Sequence, residues 1–459
     1  MTGGPGGGDG GPGPRIDVRK RPCDPGPAAW NAILPPQVPP VSLENARKAD
    51  WLVIGGGFAG LSAARRLRQL RPDDRIVVLE ARRIAEGPAG RNSGFMIDLP
   101  HDLASDDYGG TVDTDRREIG WNRAAIGFAA DMVADYGLTR EAFDPCGKIN
   151  AAATERGLAH ARHYAAHLGR IGEPSETMDA GAMRAVTGTE YYLGGLRTPG
   201  AVLLQPALYM RGVAAGLGRE GIAIRENSPV TGLAREGGVW CATTPGGSVS
   251  APGVILAVNG QANGFGFWKR RLIHVHTYGA MTRALTAAEV ARLGGAPRWA
   301  LTPADPMGTT VRRIDGTGGV RIVVRNRFTL DGSLGVNGNR LARVYRDHDR
   351  AFAARFPMLE GVGMEYRWGG ALCLSRNNVP AFGELEPGLF SAVCQNGLGT
   401  VKGTLSGMMA AELACDTGSN MLADFRDQPA PRLLPPDLLT RIGATARIRW
   451  QEWRAGRDR

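Results

Sequence analysis

Histidine and cysteine are both scarce, with seven and six in 459 residues. The cysteines (Cys23, Cys146, Cys241, Cys373, Cys394 and Cys415) form no CxxC pair, which argues against both a zinc knuckle and a disulfide framework. No cluster of cysteine and histidine with ligand spacing stands out, so no metal site is expected, and no GxSxG marks an acyl-transfer nucleophile. Also missing is any run near the roughly 18 apolar residues that a membrane helix needs. The N-terminal MTGGPGGGDGGPGP lacks the basic-then-apolar pattern of a secretory signal, and with the unpaired cysteines this predicts a cytoplasmic setting. Fibrous and disordered classes are excluded by a hydrophobic fraction of 43% with 22% charged residues. Acidic residues are outnumbered, 45 against 55 basic, for a net charge of +10. Spread over this length, the excess reads as a solvated arginine-rich surface, and a nucleic-acid partner is not expected.

The chain is long enough for several domain-sized units. Residues 1–48 are rich in Gly and Pro, including Pro35, Pro36, Pro39 and Pro40, and read as an extended tail that Trp30 and Ile33 can anchor. Order begins at ADWLVIGGGFAGLSAARRLRQL, where a continuous apolar run passes through a glycine turn into helical spacing, with Leu61, Ala64, Leu67 and Leu70 on one face. RIVVLE then resumes as a buried strand, completing a right-handed βαβ unit. A helix starts near Asp113 and Thr114 and stops at Gly137. Between about 190 and 330, short β-rich runs separated by Gly and Asp predict antiparallel sheet. Near the end, GLFSAVCQNGLGTVKGTLSGMMAAELAC repeats the strand, glycine loop, helix grammar. Two such units so far apart imply a nucleotide domain assembled from both ends of the chain. The expected division places 49–112, 196–266 and 366–430 in that domain, 113–195 and 267–365 in a substrate domain, and 431–459 in a basic C-terminal helix.

Gly55, Gly57 and Gly60 form GxGxxG, for which a tight turn, close backbone approach to a pyrophosphate and close helix–strand packing are separate needs. Phe58 and Ala59 open the helix, whose N-terminus favours phosphate. Glu80 ends the second strand about 20 residues on, where a carboxylate accepts from a ribose hydroxyl, with Ala81 and Arg82 beside it. NAD and FAD both use this fingerprint. Gly90, Arg91, Asn92, Ser93 and Gly94 follow at once in a loop, where a nicotinamide domain would run on into another helix and strand.

At this point the chain resembles the D-amino-acid-oxidase-like family of FAD enzymes, whose members carry a GxGxxG, an acidic strand end and a GxSGRNGG-like loop. The resemblance covers about residues 48–415. ENSPVTGLAREGGVWCATTPGG is similar to the family's strand pair with a valine, here Val230, beside the adenine, and GVILAVNGQAN to the turn near Gly260 that returns to the pyrophosphate. WGGALCLSRNNVPAFGEL with QNGLGTVKGTLSGMMAAEL resembles the gamma-glutamylputrescine oxidase branch, which oxidises amines. The resemblance implies an α/β fold, with a Rossmann-like FAD domain and a smaller antiparallel-sheet substrate domain. It puts Trp368, Gly369 and Gly370 near the flavin ring and Gly397, Leu398, Gly399 and Thr400 at its pyrimidine edge. Lys402 can add positive charge there. The implied reaction oxidises the C–N bond of a small primary or secondary amine by hydride transfer to flavin N5. The resulting imine hydrolyses, and O2 or another acceptor reoxidises the flavin.

Three departures bear on that expectation. Leu398 stands where relatives often have the histidine of a GHG. Cys373 lies out of register with the cysteine that binds flavin covalently in sarcosine-oxidase-like relatives, so FAD is expected to be noncovalent. GGVRIVVRNRF offers Arg321, Arg325 and Arg327 but no oxygen-activating lysine, which leaves oxidase and dehydrogenase both open. Pocket candidates are His101, Arg321 and Trp368, while His274 and His276 share one face of a strand. The rival readings are an RNA-modifying enzyme of the same flavin fold and an NAD-dependent dehydrogenase.

Overall fold

The computed structural model describes residues 15–18, 23–100, 110–330, 332, 336 and 338–459, with the backbone alone for 437–442. His101 lies outside the described residues. The opening motif forms the strand Trp51–Ile54, the helix Phe58–Leu70 and the strand Ile76–Leu79. The two strands pair in parallel within a six-stranded sheet whose order is Ala223–Arg225, Ile76–Leu79, Trp51–Ile54, Gly253–Leu256, Leu389–Val393 and Ala381–Glu386. Only the last strand is antiparallel. Continuous apolar runs such as Ile76–Leu79, buried at every position, are what a parallel strand covered on both faces requires.

Both chain ends build this domain. The helix Val401–Ala414 packs against Phe58–Leu70, and small residues set the distance between them. A Cβ added at Gly407 would lie 2.1 Å from the carbonyl oxygen of Ala59. A second, mixed sheet of eight strands runs in the order Met364–Ser375, Leu272–Thr282, Gly319–Leu330, Thr310–Gly316, Trp299–Pro303, Lys148–Ala152, Gly194–Thr198 and Glu176–Asp179. It is antiparallel except where Trp299–Pro303 meets Lys148–Ala152.

Several segments sit apart from the expected division. Met364–Ser375 is an edge strand of the eight-stranded sheet, while the helix Val112–Tyr136 packs on the nucleotide domain against Val401–Ala414. Residues 23–48 are part of the folded body. Trp30 is fully buried, its indole Nε1 donates to Asn92 O at 2.9 Å, and Gln205 donates to the Trp30 carbonyl at 2.7 Å. Glycine and proline composition reports backbone freedom, and the anchor named in the sequence, Trp30, outweighs it. The expected C-terminal helix spans Asp437–Ala455.

Candidate functional site

At the carboxyl ends of the parallel strands, Gly55 adopts φ 108°, which lets the chain turn beneath Ala257. Gly60 lies against that turn so closely that a Cβ there would fall 1.7 Å from Gly55 O. Gly57 is different. Its φ of −86° suits any residue, and a Cβ on it would meet no protein atom nearer than 3.8 Å. The protein itself therefore needs glycine at 55 and 60, whereas at 57 the missing side chain keeps open a cavity of about 430 Å³.

Gly55, Gly57, Phe58 and Ala59 line this cavity with Glu80, Ala81, Arg82, Arg91, Asn92, Val230, Gly260, Gly397 and Gly399. The Glu80 carboxylate accepts from Gly56 N at 2.8 Å and Arg82 N at 2.9 Å; burial raises its pKa, and those two donors oppose the rise. Arg82 pairs with buried Asp24 at 2.6 Å. The loop 91–94 is fixed from behind. Trp368 Nε1 donates to Arg91 O at 2.9 Å, Trp30 to Asn92 O, and Arg312 to Ser93 O at 2.7 Å and Gly94 O at 3.3 Å. Four successive carbonyls are thus tied back into the protein. Burial depresses the pKa of Arg312 to about 10, and its cation lies over the rings of Trp30 and Phe95.

A second cavity, of about 600 Å³, shares Asn92, Leu372, Gly397 and Gly399 with the first. Its wall is largely apolar, with Phe95, Ile97, Ile273, Val275 and Leu374, and it takes in Ser93, Leu398 and Thr400. Thr400 is fixed by donating to Phe95 O at 2.6 Å, at the N-terminus of the helix Val401–Ala414. The charged lining residues are Arg325, Arg376 and Arg447, and no carboxylate joins them among the described residues. The guanidinium of half-buried Arg325 has no ion pair or hydrogen bond among the described residues, only the face of Phe328 at 4.5 Å. Burial alone lowers its pKa to about 10.

Other expected site residues fall elsewhere. Arg321 is held by Glu365 and the Thr282 carbonyl, away from both cavities. Trp368 is buried behind the loop it supports. Lys402 turns from the Gly397–Thr400 loop to pair with Glu118 at 3.0 Å, so its charge is already matched. Gly90 packs on Ala85, and Gly94 is covered by Arg312. His274 lines the first cavity and bonds Gly260 O at 2.9 Å, and burial lowers its pKa. Contrary to the expectation that no histidines have ligand spacing, His163 and His167 stand four apart on the helix Glu155–Ile171, but His167 contacts Asp115 at 2.6 Å. No group of three or more His, Cys, Asp or Glu suited to a metal occurs among the described residues. No helix among them is long and apolar enough to cross a membrane.

The first cavity suits a long polar ligand threaded past glycine. A Cβ at Gly399 would meet nothing within 4 Å, the same open cradle as at Gly57. Gln261 and Gln395, both lining it, keep buried amide atoms with no partner among the described residues. Strand-end glycine turns and a carboxylate at the second strand define a dinucleotide-binding fold.

The chain belongs to the family of FAD dependent oxidoreductases, whose profile matches residues 50–413. It is 26% identical to the gamma-glutamylputrescine oxidoreductase of Escherichia coli (strain K12) over 391 residues, 81% of this chain and 85% of that protein. Its fold is similar to glycine oxidase from Geobacillus kaustophilus, with TM-score 0.67 and 18% identity over 84% of this chain and 99% of the other. Iminodiacetate oxidase from Chelativorans sp. BNC1 matches with TM-score 0.64 and 14% identity, over 84% and 98%. The family assignment selects FAD over NAD.

Proposed function

We propose that this enzyme oxidises the C–N bond of a small primary or secondary amine that carries a carboxylate. FAD is held noncovalently in the first cavity and the amine in the second. The observation that carries this reading is Arg325, a cation without a partner among the described residues, in an apolar chamber that joins the dinucleotide cavity at Asn92, Leu372, Gly397 and Gly399. The names of the relatives, oxidases or oxidoreductases of glycine, iminodiacetate and gamma-glutamylputrescine, support it.

Gly55, Gly57, Phe58 and Ala59 would hold the pyrophosphate, Glu80 the ribose, and Val230 the adenine. Gly397, Leu398, Gly399 and Thr400 would border the ring. Bound FAD supplies the two-electron acceptor for the substrate's α-hydrogen, taken as hydride. Arg325 offers a planar pair of donors matched to a carboxylate and so fixes which substrate carbon faces the junction of the cavities. Phe95, Ile97 and Val275 exclude water there, which lowers the pKa of a bound ammonium and favours the neutral amine from which hydride can leave. The positive end of the helix Val401–Ala414 favours negative charge beside Gly399. No side-chain base is required once the amine is neutral, and water completes hydrolysis of the imine to carbonyl compound and released amine.

The test is anaerobic titration of the purified FAD-loaded enzyme with amines, with and without a carboxylate, followed by admission of air. Bleaching by carboxylate-bearing amines is expected. A flavin that no amine bleaches would refute the reading. The rate of colour return separates oxidase from dehydrogenase.

A further inference from the structure

The second cavity has a wall that lies outside the stretch matched by the family. Gly443, Ala444, Arg447, Ile448 and Gln451, at the spacing of one helical face, bring the helix Asp437–Ala455 against it. This wall is fastened. Glu452 pairs with Arg327, which lies on the same strand as Arg325. Past the helix, Asp458 accepts from Ala153 N at 2.6 Å and Thr154 Oγ1 at 2.8 Å, and Arg355 donates to Asp458 O at 2.9 Å. Before it, Leu434 N donates to Arg270 O at 2.7 Å.

Arg327, Arg355 and Arg459 all find oxygen partners in this neighbourhood. Arg447 does not. It is exposed and has no ion pair among the described residues, and the same holds for Arg376. With Arg325 inside, the chamber therefore carries three guanidinium groups without an ion pair, and no carboxylate, among the described residues. A second carboxylate on the substrate would give a further one of them an anionic partner.

We propose that Arg447 is a specificity-determining residue that binds a second carboxylate at the far end of the substrate, so that the preferred amines are amino dicarboxylates. Arg376 adds to the field at the rim. This deepens the carboxylate-bearing amine reading and rests on it for the position of the first carboxylate. Because the Arg447 side chain is exposed, its contribution is that of a partly solvated charge-assisted contact, about 5- to 10-fold in affinity, and it weakens with salt.

The test is calorimetric titration of the FAD-loaded enzyme with inert acids in matched pairs, butyrate against succinate and valerate against glutarate, for the wild type, Arg447→Gln and Arg325→Gln. The wild type is expected to bind at least one dicarboxylate about 5- to 10-fold more tightly than its monocarboxylate partner. Arg447→Gln should bring that ratio close to one with monocarboxylate affinity unchanged, and Arg325→Gln should weaken both acids. Far-UV circular dichroism checks that the terminal helix persists. A wild type without preference, or an Arg447→Gln protein that keeps it, overturns the proposal whether or not amines bleach the flavin. An intact preference in an enzyme that no amine bleaches would instead overturn the amine reading and leave the pair of anion sites standing.

Discussion

Replacing Arg325 with Met should move stability and binding in opposite directions. In the folded protein, burial alone lowers the pKa of this guanidinium from its ordinary value to about 10. At about 1.4 kcal/mol per pKa unit, the chamber makes the charged form roughly 3 kcal/mol worse than in the unfolded chain. The side chain is half-buried and meets solvent through the chamber, so the cost falls to about 1–3 kcal/mol. Met keeps much of the volume and the contact with Phe328 while removing the charge, so Arg325→Met should be more stable by that amount. The folded pKa is the lower of the two. Stability from deprotonation would therefore appear only above about pH 10, and the gain from Met should be constant between about pH 5 and 9. Affinity should fall instead. Removing one partner of a desolvated charge pair costs about 2–5 kcal/mol, some 30-fold or more in Kd for a carboxylate-bearing amine. Urea unfolding at equal FAD content gives the first number, and anaerobic stopped-flow reduction gives the second, with an amine lacking a carboxylate as control. An Arg325→Met protein that is destabilised yet binds carboxylate-bearing amines as the wild type does would refute the reasoning.

Three further outcomes follow from buried groups. Lys148 is 3% exposed, and burial depresses its pKa to about 8, so the cost of its charge is present below pH 8 and disappears as pH rises towards 10.5. Lys148→Met should stabilise by about 1–2 kcal/mol at pH 7 after the lost bond to Asn150, and by little near pH 10.5, in urea melts at both values. Burial pushes His348 down to about 4, so its neutral ring favours folding above pH 6.5, and that contribution is lost as pH falls towards 4. The loss reaches about 3 kcal/mol, and His348→Leu should flatten that part of the stability–pH profile. Trp30→Ala should cost about 3–5 kcal/mol in urea melts and increase FAD dissociation, because the indole holds Asn92 O at the cavity edge.

The nucleotide half of the fold was legible because its constraints are local. Gly55 is demanded by its own φ of 108° and Gly60 by the Gly55 carbonyl within the same turn, and the apolar runs around them fit only a covered parallel strand. The pairing of the two chain ends was legible too, from the repeated strand, glycine loop and helix. What was not legible depends on contacts between distant segments. Arg321 and Arg325 stand four apart on one strand, so alternation gives them the same face, but only the latter reaches the chamber. Arg327 leaves the pattern altogether. The register slips between Thr277 and Tyr278, Arg327 takes φ 65°, and its side chain swings to Glu452. Lys402 lost its expected role to Glu118, far away in sequence. The terminal helix, read as basic, gave no local sign that Arg447 faces a cavity.

The central claim, that FAD lies over Gly57 in the first cavity, is tested most directly by the flavin-to-protein ratio of Gly57→Val, measured beside the wild type from absorbance near 450 nm. No protein atom lies within 3.8 Å of the added Cβ, so the variant should fold with a wild-type circular dichroism spectrum. It should lose nearly all of its FAD, while the wild type retains about one per chain. A folded Gly57→Val protein with full flavin content would contradict the account.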